Sequence, residues 1–91
     1  MNVIDVKQAV AVASQFMAEL MGGRISDVLL EEVEHDDSAN ERLVTLSAST
    51  PITATNKLGE IFPRDRRIFR QIAVNANNAE VRAMKSRKLD E

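Results

Sequence analysis

The spacing of hydrophobic positions changes along the chain, and each change marks an element. From Val6 onward, Val6, Ala9, Val10, Ala13, Phe16, Met17 and Leu20 recur every three or four places, the spacing of one helical face. Asp5, with Gln8 three residues on, fits a capping box in which each side chain satisfies an orphan backbone N–H. Gly22-Gly23 fits a left-handed stop at the far end. The spacing predicts a helix over about 5–21, with Ala9 and Ala13 small enough to let it lie close to a sheet.

After the glycines the helical period is lost. "ISDVLLEEVEH" predicts a strand over about 25–35. Val28 and Leu30 share one face while Val33 falls on the other, so keeping all three inside needs a bulge near Leu30–Glu32. "DDSAN" is a polar hairpin loop, and "RLVTLSAS" a second strand over about 42–49 with Val44 and Leu46 on one side. The stretch 50–65, "TPITATNKLGEIFPRD", holds both prolines and one of the three glycines and reads as a long irregular loop, mobile or functional. A third strand over about 66–75 puts Ile68, Arg70, Ile72 and Val74 on one face and Phe69, Gln71 and Ala73 on the other. "NANN" is turn chemistry. A last strand over about 80–87 carries Val81 and Ala83 inward, or Met84 if the register slips. The fold expected is α+β: a single domain, 1–91, with one N-terminal helix packed across one face of a four-stranded antiparallel meander.

The helix ending in Gly22-Gly23, "DVLLEEVEHD" as a first strand and above all "IFRQIAVNANNAEVRAMKSR" resemble the small PepSY-like domains, which share a general look with cystatin-like folds. The likeness departs where Asn75-Ala76 stands for Asp-Ala, where Ala79 replaces a usual glycine, and where the usual tyrosines are missing. It implies an inhibitory or binding role toward another protein, and no catalytic residue.

Charge adds a second layer. The chain of 91 residues has a net charge of −2, but residues 1–50 carry nine acids and three bases while 51–91 carry five acids and nine bases. Such poles steer partners and can favour head-to-tail self-association. The segment 64–88 concentrates eight Lys or Arg. Single-stranded nucleic acid also wants aromatic platforms, and Phe69 is the one aromatic among these cations, so nucleic-acid binding is the alternative reading and protein binding the first. Cations can equally guard an outer strand.

Candidate chemistry is thin. The run Glu31, Glu32, Glu34, His35, Asp36, Asp37 lacks the ligand spacing and glycine of a calcium loop, so no metal is expected. His35 has no nucleophile elbow to serve, so no catalytic residue is expected. Gly22-Gly23-Arg24 follows a helix, where carbonyls rather than N–H groups are exposed, so no phosphate or other cofactor is expected. The chain has no cysteine and no stretch of membrane-spanning length, and "MNVIDVKQAVAVASQFMAEL" does not read as a signal peptide. These features point to the cytoplasm, or to export if a leader has been removed. The partner-binding residues expected are Arg64, Arg66, Arg67 and Arg70 for an acidic partner, Glu31, Glu32 and Glu34 for a basic one, and Ile61 and Phe62 in the long loop. A homodimer through complementary charge is a further expectation.

Overall fold

The computed structural model describes residues 4–87, and of Thr53, Ala54 and Phe62 the backbone alone. Helix α1 (Val6–Met21) runs through one turn of 3-10 helix (Gly22–Arg24) into strand β1 (Ser26–Asp36), followed by β2 (Glu41–Thr55), β3 (Ile61–Asn75) and β4 (Val81–Ser86). The strands form one antiparallel sheet in the order β1-β2-β3-β4. This is the expected α+β architecture, with the helix across one face.

The helix starts as its sequence requires. The Asp5 carboxylate accepts the Gln8 N–H at 2.7 Å, and the Gln8 side chain accepts the Asp5 N–H at 3.0 Å. Just before it, the Ile4 N–H donates to the Ala76 carbonyl and Arg42 Nε donates to the Ile4 carbonyl, which fastens the helix entry to the sheet. Gly22, at φ +61°, ends the helix in a conformation that a side chain resists. Only a narrow stripe is fully buried: Ala9, Ala13 and Met17. Val6 and Leu20, expected on the inner face, stay 44% and 55% exposed. The helix rests on small residues, and Val10, Val12 and Met21 pack partly buried beside that stripe.

Val44, Leu46 and Ala48 of β2 and Ile68, Ile72 and Val74 of β3 complete the core beneath that stripe. The bulge expected in β1 is present, with a register shift between Leu30 and Glu32, and a second shift falls between Ser26 and Leu29. In β4 a shift opposite Ala73 and Val74 lets Val81 and Met84 both pack on the core, while Ala83 lies across from Ala73 on the other face. Ala83 is thus not an inward residue, because the extra residue Arg82 reverses the alternation.

The largest departure concerns residues 50–65. They are not an irregular loop: β2 and β3 continue through them as a ladder from Thr50↔Arg66 to Thr55↔Ile61, closed by a turn at Asn56–Glu60. The prolines permit this. Every second pair of an antiparallel ladder turns its N–H groups away from the partner strand. Pro51 faces Asp65 and Pro63 faces Thr53, two rungs apart and therefore of one kind. Both prolines can occupy the outward sites, where no donor is needed so long as no third strand lies alongside. Accordingly β1 begins its pairing at Ser49, and β4 ends against Arg70, with the Arg87 N–H reaching the Phe69 carbonyl. From Thr50 to Arg66 the sheet is a two-stranded arm. A helix of 16 residues is about 24 Å long and a strand of 15 about 50 Å, so roughly half of each central strand outruns the helix. The molecule measures 61 × 27 × 17 Å.

Candidate functional site

Two surfaces are candidates: the sheet face opposite the helix, and the arm. On the open face, β2 offers Thr45, Ser47 and Ser49, and Thr45 and Ser47 are fully buried although no second layer of the described residues covers them. Charged side chains lie over them. Arg67 Nε donates to Ser47 Oγ at 3.0 Å, and Ser47 Oγ donates in turn to Glu31 Oε2 at 2.6 Å. The Arg67 fork also donates to Ser49 Oγ, to the Asp27 carboxylate at 3.1 Å and to the Asp27 carbonyl at 2.6 Å. Asp27, at φ +54°, holds a left-handed bulge conformation that turns both acceptors toward the arginine. From the end of β4, Arg87 reaches Glu32 at 2.5 Å and Thr45 Oγ1 at 2.9 Å.

Two arginines of the basic half therefore cross the sheet to meet acids of β1 within one chain. Among the described residues no buried side-chain polar atom lacks a partner. A satisfied network of this kind fixes the sheet face rather than awaiting a ligand. Farther along this face, Glu41, Leu43, Gln71, Arg82 and Lys85 help to line a shallow depression of about 390 Å³, crossed by an Arg82–Glu41 ion pair at 3.2 Å. His35 lies on the helix side beside Arg42, its Nε2 3.2 Å from Asp37. Asp36 opens the first hairpin turn, accepting from the Ser38 hydroxyl and from the N–H groups of Ser38 and Ala39. The Ser38 hydroxyl first, and then the Ala39 N–H, hold its carboxyl below the usual aspartate value. Among the described residues, no three His, Asp or Glu side chains converge as a metal ligand set would.

The partner-binding residues named from sequence separate into two groups. Arg67, Glu31 and Glu32 belong to the open-face network. Arg70 sits on the helix side opposite Leu46, half-buried, with Nη1 on the Phe69 carbonyl. Arg64, Arg66 and Ile61 stand exposed on the arm, and Glu34 is exposed on β1. Among the described residues Arg64, Arg66 and Glu34 form no ion pair. The Phe62 side chain, like Lys88, lies outside the described residues.

Sequence reasoning missed Leu58, 83% exposed in the arm's turn, and the apolar edge of Val28, Leu29 and Leu30, which are 37%, 49% and 50% exposed. It also missed Asp27 and Arg87. The alternating hydroxyls Thr45, Ser47 and Ser49 signalled a polar strand face in need of partners. Among the described residues no helix is long and apolar enough to cross a membrane. Compared with protein-family models, curated proteins and solved structures, the chain matches none.

Proposed function

We propose that this is a small non-enzymatic protein-binding module of inhibitor, immunity or adaptor type, working in the cytoplasm, and that the arm 50–66 is its main contact element. The observation that carries this reading is the arm itself. Among the described residues its strands pair with each other alone, and it presents Leu58, Ile61, Arg64 and Arg66 to solvent. A two-stranded hairpin is marginal in isolation, and apolar tips beside unpaired cations are what a protein interface buries. The PepSY-like resemblance points the same way. The nucleic-acid alternative loses support, since Arg67 and Arg87 are engaged with Asp27 and Glu32.

The test compares the immobilised full chain with a variant in which residues 51–65 are replaced by Asn-Gly, a two-residue turn suited to closing the shortened ladder at Thr50 and Arg66. Proteins retained from native extract by the full chain, and lost both with the armless variant and with Arg64→Glu/Arg66→Glu, are the expected result. An identical retained set from all three would overturn the reading. Labelled single-stranded DNA or RNA bound tightly at low salt, and released by the same charge reversals, would favour the alternative.

A further inference from the structure

The apolar and acidic surface next to the root of the arm complements the arm's own chemistry. Edge strand β1 has five acids, Asp27, Glu31, Glu32, Glu34 and Asp36, and no lysine or arginine. Its Leu29 and Leu30 face opposite sides of the edge, being paired with Ser47 and Leu46, and each is about half exposed. Leu20, 55% exposed, closes the helix at the same end of the body, because one short turn joins that end to Ser26. The arm offers the counterpart: Leu58 and Ile61 near its tip, 83% and 73% exposed, with Arg64 and Arg66 behind them.

The geometry points to a second copy of this chain as the occupant: the arm of each protomer lies over the β1 edge of the other, closing a two-fold dimer. This rests on the reading of the arm as a contact element and names its partner. Charge selects the arrangement. Direct pairing of β1 with β1 would set two acidic strands side by side, which like-charge repulsion opposes. An arm over β1 instead brings Arg64 and Arg66 to the exposed Glu34, which has no cationic partner among the described residues. The contact is made by side chains, not by adding a strand, since Pro51 and Pro63 each remove a donor along the arm. Size agrees. Each protomer would give and receive one contact, committing residues 50–66 and much of Ser26–Asp36, close to the roughly 20–30 residues a side of a stable interface. Six arm residues on one strand span about 20 Å, over half the length of an 11-residue strand.

Sedimentation equilibrium on the full chain, over about a hundredfold range of concentration and at two salt levels, tests this. The expected result is a monomer–dimer equilibrium, the monomer being 10.1 kDa, whose dissociation constant rises with salt. Arg64→Glu/Arg66→Glu and Glu34→Lys should each weaken association about tenfold or more. An equimolar mixture of the two variants should recover much of it as a heterodimer, since one contact is then native and the other pairs the two substituted surfaces with their charges reversed. Circular dichroism melts establish that both variants fold. A monomer under every condition overturns the inference, while leaving the arm's binding of other proteins to be judged by retention from extract. Growth beyond the dimer also overturns it, because it signals open head-to-tail assembly rather than reciprocal closure.

Discussion

The body and the arm are built from the same two strands, yet they satisfy their side chains in opposite ways. Between Glu41 and Ser49, β2 has a strand on each side, a helix above and a lattice of charged side chains below, and Val44 to Ala48 are buried without interruption. Beyond Thr50 the same strand keeps one neighbour. The difference is not one of β-propensity, since Thr50, Ile52, Thr53 and Thr55 suit a strand as well as the residues before them do. It follows from what stops: α1 ends at Met21, β1 begins at Ser26, and β4 ends at Ser86. A strand that outlasts its coverings exposes what a core would otherwise enclose.

Truncation separates the two regions most sharply. Leu46→Ala, at a position 1% exposed, should cost about 2–5 kcal/mol in urea unfolding. Ile61→Ala, at a position 73% exposed, should change monomer stability by no more than about 0.5 kcal/mol. Equal losses would mean that the arm belongs to the core. The next largest effect belongs to the open face. Arg67→Ala leaves Ser47 and Asp27 without their donor and should cost about 1–3 kcal/mol, whereas Arg66→Ala, one residue away on the arm, should cost almost nothing. If the two are alike, the lattice is not holding the face.

Ala79→Gly should run in the opposite direction. Ala79 sits at φ +63°, where a Cβ is disfavoured, and a glycine should raise stability by up to about 1 kcal/mol, read as a higher Tm. The smallest effect concerns Asp36. Its carboxyl is held below its ordinary value by the Ser38 hydroxyl and the Ala39 N–H, so it stabilises the fold above its unfolded-state pKa, and that contribution fades as pH falls through the folded-state pKa. A carbon-detected titration should place its midpoint below that of an unstructured aspartate. Asp36→Asn should remove that part of the acid dependence while keeping the turn.

Periodicity made the body legible and hid the arm. The helix, its capping box and the Leu30–Glu32 bulge follow from residue spacing, because each local preference agrees with the tertiary role. The arm was obscured by Pro51 and Pro63, which argue against a strand wherever neighbours lie on both sides and permit one where a flank is bare. Asn56 carried the missing signal. Its side chain accepts from the Leu58 and Glu60 N–H groups, as Asp36 and Asn75 do at the other two hairpins, and Gly59 at φ +80° completes the turn. The basic segment was legible as charge but not as placement. Strand alternation and side-chain reach sent Arg67 and Arg87 across the sheet to β1 and left Arg64 and Arg66 exposed on the arm.

One experiment bears on this division directly: urea unfolding of the chain with 51–65 replaced by Asn-Gly, at a dilution and salt where the full chain is monomeric. If the body is complete by itself, the two free energies will agree to within about 1 kcal/mol, with a smaller m-value for the shortened chain. A loss of about 3 kcal/mol or more, or failure to fold, would show that the arm supports the body and contradict the account.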